Sequence, residues 1–350
     1  MKLRGLSLFS GGGIGETYLN EIGIKVLVAN EIIDKRAQFY MDMNPEVLMF
    51  NEDIKKCYKK IIEESKKLGV NFLIATPPCQ GMSTLGKKDY ENDIRNYLIY
   101  YVLDIIDNMD FKYILIENVP KFLSISYFYN NKKNTIEQIL KEKYSDKYII
   151  KIDLLNTKYY GVPQCRPRAI IRMYKKGLKW NLPEKKSIIT LRDAIGFLPS
   201  LESGQSSNIK YHYAKKQNDM HIEVMRHTPE GMSAIKNEVY YPKKKDGSRI
   251  KGFHNTYKRM KWDEPCPTRA LNNGAISGHN NVHPGREISR GIWSDARVLT
   301  LLELFIVSSL PTNWNYPEKY TDNFIRQIIG EGVPPLFIKE ILLGIEELKN

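Results

Sequence analysis

The sequence has few cysteines and no long hydrophobic run. Its four cysteines, Cys57, Cys79, Cys165 and Cys266, are far apart, so no CxxC pair or Cys/His cluster indicates zinc. A disulfide framework is not expected in a chain of 350 residues. No apolar segment approaches the roughly 20 residues that span a bilayer, and Gly and Ser interrupt the N-terminal apolar stretch, which argues against a signal peptide. We therefore expect a cytoplasmic protein without a membrane attachment or a metal site.

Acidic residues are outnumbered by basic ones. The chain has 53 Lys and Arg against 40 Asp and Glu, which gives a net charge of +13. Such a balance favours polyanionic partners, above all nucleic acid. The alternative is a basic protein without such a partner, and charge alone does not decide between them.

The first half of the chain alternates strand and helix patterns. Buried strands are predicted at 3–9, 25–30, 71–76 and 111–118. The segments between them have helical patterns, which together predict a doubly wound α/β sheet of parallel, Rossmann-like type. Ligands bind beyond the carboxyl ends of the strands in such sheets. Because Gly11–Gly15, Glu31, Cys79 and Glu117 all fall at predicted strand ends, we expect them around one crevice.

The pattern changes after the first half. From about residue 180 to 295 the chain is polar, rich in Lys, Asn, Gly, His and Pro, with only short apolar pieces. This composition predicts a second, irregular domain. Helical patterns return near the C-terminus, so the expected organisation is a first domain at 1–180, a second at 181–314, and a segment at 315–350 that returns to the first.

A glycine-rich segment, FSGGGIGE (9–16), lies between a predicted strand and a predicted helix. Its glycines permit close approach of a ligand to the backbone, but their spacing does not fit GxGxxG, and Glu16 at the helix start would repel a pyrophosphate. An adenosine-containing ligand without phosphate fits better, since Glu31 can accept from ribose hydroxyls and Asp53 from an adenine amino group. S-adenosylmethionine has these features. A tight turn without a ligand is the alternative.

The segment TPPCQ (76–80) follows a buried strand. Pro77 and Pro78 stiffen the strand exit and place Cys79 at the carboxyl edge of the sheet. A thiolate there is a strong nucleophile. The next residues, 81–93, contain two glycines and two lysines, which predicts a loop that closes over a bound anion. The alternative is an inert loop thiol.

Two further segments carry charged side chains at strand ends. ENV (117–119) places Glu117 where it can donate a proton or a hydrogen bond, although a helix cap would explain it too. In QCRPR (164–168), Arg166 and Arg168 alternate on a strand-like stretch, so both are expected on one face. Two guanidinium groups on one face suit a carboxylate or a phosphate; a solvated edge strand is the alternative.

In this order the segments resemble those of the DNA (cytosine-5) methyltransferase family, of the bacterial restriction-modification type. The family's motifs appear as FSGGGIGE, a Glu after the second strand, an Asp after the third, PPCQ, DIRNYL, ENV, QCRPR and GEGVPP (330–335). The match covers about 1–175 and 297–350. It departs at Asn96, where the family has glycine, and at Glu331, where the family has asparagine, which affects loop closure and cofactor packing.

The resemblance implies a reaction and a role for each matched residue. The methyl group of S-adenosylmethionine would pass to C5 of a cytosine that is flipped out of duplex DNA. Cys79 would add to C6 and Glu117 would contact the base. Arg166 and Arg168 would support the base and Glu117. The implied cofactor-site residues are Phe9, Ser10, Gly11, Gly13, Glu31, Ile32, Asp53, Ile54, Pro78 and Leu98.

The irregular region fits the family's target-recognition domain. Lys243, Lys244 and Lys245 precede Asp-Gly, a turn signal, and are predicted to contact phosphates. Arg269 and Arg286 flank a Gly/Asn/His-rich segment and are predicted to read guanine. Further DNA contacts are assigned to Gln80, Ser83 and Gln164. The alternative is an exposed basic loop, and His279 and His283 lack the carboxylate or thiolate neighbours of a metal site.

Two other functions compete with DNA methylation. One is RNA cytosine methylation by the same architecture, since the family includes a tRNA-acting branch. The other is a catalytically silent DNA-binding module, which the intact Cys79 and Glu117 oppose. The resemblance also implies a monomer that acts beside a companion restriction endonuclease.

Overall fold

The computed structural model describes residues 2–78 and 97–349. Its helices are α1 Asp34–Met43, α2 Ile54–Lys67, α3 Ile99–Asn108, α4 Ile136–Tyr144, α5 Leu191–Ile195, α6 Asp219–Arg226, α7 Leu301–Val307, α8 Asp322–Glu331 and α9 Pro335–Leu342. Its strands are β1 Leu3–Leu8, β2 Ile24–Asn30, β3 Leu48–Phe50, β4 Phe72–Ala75, β5 Tyr113–Asn118, β6 Ser126–Tyr129, β7 Lys132–Thr135, β8 Tyr148–Asn156, β9 Gln164–Cys165, β10 Pro167–Lys175, β11 Cys266–Pro267, β12 Glu287–Ser289 and β13 Ile292–Trp293. Within the described ranges, no helix has the length and apolarity of a membrane span.

Seven strands form one mixed sheet in the order β3-β2-β1-β4-β5-β10-β8. The first five pair in parallel, whereas β10 is antiparallel to both β5 and β8. The Rossmann-like α/β fold is confirmed, but the prediction of an all-parallel sheet is corrected at β10. The cause is local: no α-helix separates β8 from β10, and parallel neighbours need a long crossover, usually a helix.

The centre of the sheet is apolar on both faces. Every residue of β4 and β5 is buried, as expected for strands covered on both sides. Helices α2, α3 and α4 contribute buried side chains to the core with these strands. Because α3 links β4 to the parallel strand β5, its N-terminus lies at the carboxyl edge of the sheet.

The glycine-rich segment does not continue into an α-helix. The helix predicted between the first two strands, after the glycine-rich segment, is replaced by two 3₁₀ turns, Ile14–Glu16 and Asn20–Ile22. Gly13 precedes the first turn with φ of 74°, and Gly23 ends the second with φ of 84°. Both values lie in the left-handed region that glycine adopts without strain.

The contacts within the chain divide it into two compact units. The first comprises Met1–Asn156, Pro167–Glu184 and Ile338–Asn350, and the second comprises Thr157–Arg166 and Lys185–Phe337. These bounds differ from the predicted domains, because 157–166 and 315–337 both fall in the second unit. The contacts of α8 explain part of the difference: α8 packs against α7, and Arg326 of α8 donates to the carbonyl of Leu299 (2.7 Å).

Buried arginines stabilise the second unit, which has little regular structure. Arg259 is fully buried and donates to four backbone carbonyls, including those of Thr228 (2.8 Å) and His283 (2.9 Å). Arg297 forms a buried ion pair with Glu303 (2.7 Å). Burial alone would raise the pKa of Glu303, but the Arg297 guanidinium holds it well below its usual value. Guanidinium groups thus satisfy carbonyls that a sheet would otherwise pair.

Candidate active site

The loops after β1 and β2 meet at the carboxyl edge of the sheet. The backbone N–H and hydroxyl of Ser10 donate to the carbonyl of Asn30 (3.0 and 3.2 Å). The buried carboxylate of Glu31 accepts from Gly11 N at one oxygen (2.9 Å) and from Ile33 N at the other (2.8 Å). Each oxygen keeps a second lone pair, so Glu31 is a fixed acceptor that can bind a further donor.

The glycines of this loop have different surroundings. A Cβ at Gly11 would meet no atom of the described residues within 4 Å, whereas a Cβ at Gly13 would lie 3.0 Å from the ring of Tyr40. Phe9 has a left-handed backbone (φ 59°), and its carbonyl accepts from the hydroxyl of Thr76 (3.0 Å). The loop is therefore anchored to the exit of β4, with open space beside Gly11.

The remaining predicted cofactor residues divide into accessible and buried ones. Asp53 is the N-cap of α2 and accepts from the backbone N–H of Lys55 (3.0 Å). The side chain of Ile32 is 58% exposed, whereas that of Ile54 is buried. Leu98 is half-buried at the start of α3. The Ile54 side chain therefore cannot line a ligand surface, because it belongs to the hydrophobic core.

The ends of β4 and β5 are joined by a residue that the sequence reasoning did not single out. Buried Asn118 donates to the carbonyl of Pro77 (3.1 Å) and accepts from Val119 N (2.8 Å). Its position directly after Glu117 in the ENV segment was the feature of the sequence that could have identified it. Pro78 is half-buried beyond this bond. Cys79, Gln80, Ser83 and Asn96 lie outside the described residues.

Glu117 and Arg168 form an ion pair at the same edge. Arg168 Nε lies 2.6 Å from Glu117 Oε1, and both side chains are largely buried. The register pairs Glu117 with Ile170, so Arg168, two residues before Ile170, lies on the same face of the sheet. Arg168 also donates to the carbonyl of Pro167 (2.7 Å), which orients its guanidinium.

Arg166 is not placed beside Arg168 on one strand. Strand β10 begins at Pro167, and Arg166 belongs to the second compact unit. It is buried and donates to the carbonyls of Gly330 (3.2 Å) and Glu331 (3.0 Å). Arg166 and Arg168 were expected to alternate on one face of a strand. Arg166 precedes the first residue of β10, so the two arginines do not share that strand.

Gln164 and Arg269 are interior residues of the second unit, each 1% exposed. Gln164 donates to the carbonyl of Val307 (3.3 Å). Arg269 donates to the carbonyls of Pro267 (3.0 Å) and Asn280 (2.7 Å). A buried guanidinium bonded to backbone carbonyls cannot reach a base edge, so the structure argues against guanine reading by Arg269 and against a DNA contact by Gln164.

The predicted phosphate-binding lysines are exposed at a tight turn. Lys244 N donates to the carbonyl of Ser248 (2.8 Å), and Gly247, with φ of 82°, donates back to Lys244 (3.0 Å). The bridge between Lys243 and Arg249 closes this short hairpin. The side chains of Lys243–Lys245 are therefore presented to solvent together.

Arg286 has an intermediate environment. Its side chain is 37% exposed, its guanidinium lies 5.0 Å from the ring centroid of Trp262, and it donates to the carbonyl of Gly196 (3.0 Å). Its Nη1 also donates to Asp295 Oδ2 (3.5 Å), so both terminal nitrogens have a partner, while the side chain remains partly exposed.

Behind the glycine-rich loop, Glu16 accepts hydrogen bonds from the hydroxyls of Ser7 (2.6 Å) and Tyr40 (2.5 Å). Removal from water raises the pKa of Glu16 to about 7, although both hydrogen bonds lower it. Since Tyr40 also packs against Gly13, this network supports the loop from its inner side.

Comparisons with known proteins agree with this architecture. The model of the family described as C-5 cytosine-specific DNA methylase matches residues 3–347. Type II methyltransferase M1.HgaI of Avibacterium volantium is 48% identical over 345 residues, 97% of each chain. Type II methyltransferase M1.HphI of Haemophilus parahaemolyticus is 26% identical over 357 residues, 100% of this chain and 88% of that protein.

Solved structures share the fold at low sequence identity. The Entamoeba histolytica methyltransferase EhMeth superposes with a TM-score of 0.66 at 15% identity, covering 99% of this chain and 98% of that one. Spodoptera frugiperda DNMT2 gives a TM-score of 0.62 at 19% identity, covering 99% and 100%. With a family match over nearly its whole length, this chain belongs to the C-5 cytosine-specific DNA methylases and is a DNA (cytosine-5) methyltransferase.

Proposed function

We propose that this enzyme transfers the methyl group of S-adenosylmethionine to C5 of a cytosine within one short sequence of duplex DNA. The family match supports the reaction class. The observation that carries the assignment of residues is the carboxyl edge at β4 and β5. There Glu117 is paired with Arg168 (2.6 Å) and Asn118 is bonded to Pro77 (3.1 Å), two residues before Cys79 in the sequence.

The edge at β1, β2 and β3 fits the cofactor. The space that the described residues leave beside Gly11 admits a ligand close to the backbone, and Glu31 is a fixed acceptor for ribose hydroxyls. The exposed apolar side chain of Ile32 suits the face of an adenine, and Asp53 can accept from the adenine amino group. We assign the remaining walls to Phe9, Ser10, Gly13, Pro78 and Leu98. When bound, S-adenosylmethionine supplies an electrophilic methyl group on a sulfonium.

The proposed nucleophile is the thiolate of Cys79. Cytosine C5 is too poor a nucleophile by itself, so the thiolate adds to C6, forms an S–C6 bond and makes C5 enamine-like. After C5 has gained the methyl group, it loses its proton to a base. The S–C6 bond then breaks, which restores the C5–C6 double bond and the thiolate. The target must leave the base stack for this addition, at a cost of a few kcal/mol.

The carboxyl group of Glu117 is proposed to contact the pyrimidine edge at N3 and stabilise the adduct. Arg168 is a positioning residue in this scheme, because its contacts with Glu117 and the Pro167 carbonyl hold the carboxyl group in one orientation. Arg166 contributes indirectly, through the backbone of the second unit that it binds.

The second compact unit is the proposed target-recognition module, and the first carries cofactor binding and catalysis. The exposed Lys243–Lys245 of the second unit suit phosphate contacts. Arg286 remains the candidate for reading a base. Because a relative 48% identical over 97% of its length is named a type II methyltransferase, we further propose that this enzyme protects host DNA from a companion restriction endonuclease.

Bisulfite sequencing tests the proposal directly. A host without cytosine-5 methylation should acquire one short protected motif when it expresses the wild-type chain, and none with Cys79→Ala. Absence of any protected motif, although the purified protein binds S-adenosylmethionine, would overturn DNA as the substrate. Parallel assays on tRNA would then test the RNA alternative.

A further inference from the structure

A short hairpin that follows Glu117 in the sequence presents an aromatic side chain to solvent. Strands β6 and β7 pair antiparallel from Ser126–Thr135 to Tyr129–Lys132. The side chain of Phe128 is 62% exposed, whereas that of its neighbour Tyr127 is buried. One exposed aromatic residue is common on protein surfaces, so a role for Phe128 has to be judged from the residues that surround it.

The hairpin is anchored on both sides of Phe128. Its turn residues, Asn130 and Asn131, both have positive φ (49° and 59°), as a type I′ turn requires. The hydroxyl of Tyr100 donates to the carbonyl of Phe128 (2.7 Å). Asn134 donates across the hairpin to the carbonyl of Tyr129 (3.0 Å). These bonds fix the backbone that carries Phe128 and reduce the entropy cost of a contact made by its ring.

The hairpin lies at the carboxyl edge of the sheet, where Glu117 lies. Tyr100 belongs to the first turn of α3, and that end of α3 is at the carboxyl edge. Tyr97, just before α3, stacks on Tyr100 with ring centroids 6.0 Å apart. The rings of Tyr100 and buried Tyr127 pack edge to face at 6.4 Å. The packed rings of Tyr100 and Tyr127 thus support the hairpin backbone that carries Phe128, beside the proposed catalytic edge.

The charge of this segment favours a polyanion. Residues 119–135 contain three lysines, Lys121, Lys132 and Lys133, and no aspartate or glutamate. All three lysines are exposed. The side chain of Asn130 in the turn donates to Glu142 on α4 (2.7 Å). Exposed lysines without neighbouring acidic residues in the segment suit contacts with the phosphates of a nucleic acid.

We propose that the β6–β7 hairpin is a second DNA-contacting element, on the catalytic unit, that binds the duplex flanking the target cytosine. Lys132 and Lys133 contact phosphates, and Phe128 packs against the deoxyribose and base edges beside them. This inference rests on the proposed function. Since phosphate and sugar contacts carry little sequence information, the hairpin contributes affinity for cognate and non-cognate duplexes alike.

The test compares hairpin variants with a matched control at the opposite edge. Phe128→Ala and Lys132→Ala/Lys133→Ala remove the contacts, and Phe128→Trp conserves the aromatic surface. The control is Lys66→Ala/Leu68→Ala, which removes an exposed lysine and an exposed apolar side chain at the end of α2. Binding to cognate and scrambled duplexes is measured by fluorescence anisotropy at several salt concentrations, with S-adenosylhomocysteine present. Calorimetry with S-adenosylmethionine checks folding of each variant.

Phe128→Ala should weaken both duplexes by several-fold to about tenfold, with Phe128→Trp and the control near wild type. The double lysine variant should flatten the slope of log K against log salt by about 0.9 for each phosphate that is no longer bound. Hairpin variants that bind DNA like the control would overturn the inference, while wild-type methylation of DNA would leave the proposed function intact. If the wild type neither binds nor methylates duplex DNA, the proposed function itself fails.

Discussion

Glu117 and Arg168 come from neighbouring antiparallel strands and form a largely buried ion pair, 2.6 Å apart. Removing one partner of such a pair leaves an uncompensated buried charge, which typically costs about 3–5 kcal/mol of stability. Glu117→Gln keeps the shape of the side chain but leaves the Arg168 charge without its counter-charge, so its thermal unfolding must be compared with that of the wild type. A substitution that tests Arg168 should keep the positive charge.

Glu117→Gln is expected to lower the methylation rate by roughly 10²–10⁴, the range for a positioned acid–base group. The affinity for S-adenosylmethionine should not change, because Glu117 acts on the base. Single-turnover rates on a cognate duplex and calorimetry with the cofactor measure the two quantities separately. Wild-type turnover by Glu117→Gln would show that the residue is only structural.

Glu31→Ala and Asp53→Asn should each weaken S-adenosylmethionine binding by about 1–3 kcal/mol, the cost of leaving a polar group without its partner. Asn is chosen at position 53 because Asp53 caps α2, and Asn remains a good N-cap whereas Ala does not. Calorimetry without DNA is the measurement. Normal binding by both variants would place the cofactor elsewhere.

Strand-end positions were the most predictable part of the site. Glu31, Asp53 and Glu117 follow apolar runs, and the carboxyl edge of a parallel sheet brings such positions together. Arginine roles were much less predictable. A sequence does not distinguish an arginine that donates to buried carbonyls, as Arg269 does, from one that faces DNA, because both occur in polar segments rich in turns.

At the scale of elements, the glycine-rich loop is supported by a titratable group. The pKa of Glu16 is raised to about 7 by its removal from water, from an ordinary value of 4.5. A carboxyl group with a raised pKa in the folded state holds its proton longer there than in the unfolded chain. Folding is therefore progressively disfavoured as the pH rises from 4.5 to 7.

Glu16→Gln, which cannot titrate, should lack this decline. The difference in free energy of unfolding, Glu16→Gln minus wild type, is expected to grow between pH 4.5 and 7 and to level off above it. Urea unfolding at a series of pH values measures the difference. A difference that stays constant across this window would contradict the ionisation assigned to Glu16.

The hairpin that carries Lys243–Lys245 and the side chain of Arg286 should contribute differently to DNA binding. Replacing Lys243–Lys245 with alanine is expected to weaken all duplexes alike and to flatten the salt slope by about 0.9 for each phosphate that these lysines neutralise. Arg286→Ala should cost about 1–3 kcal/mol on the cognate duplex and much less on a scrambled one. Titrations on both duplexes, with thermal unfolding as the folding control, test this. If the lysine variant lost discrimination between the duplexes and Arg286→Ala weakened both alike, the roles of phosphate binding and base reading would be exchanged.

At the scale of the whole molecule, the α/β class was predictable because apolar runs alternate with helical patterns. The reversal of β10 was not, since it depends on the ten residues between β8 and β10 forming no α-helix. The extent of the second unit was also missed. The helical pattern of 322–331 resembles that of any core helix, and its assignment to that unit follows from tertiary contacts, such as those of α8 with α7.

The proposed mechanism requires Cys79 as the nucleophile, and covalent trapping tests this most directly. In a duplex whose target cytosine carries fluorine at C5, the adduct should persist, because fluorine cannot leave as a cation. With S-adenosylmethionine present, the wild type should give a protein–DNA band that survives a denaturing gel, and Cys79→Ala should give none. A band of equal intensity from Cys79→Ala would contradict the account, as would no band from a wild type that methylates the unmodified duplex.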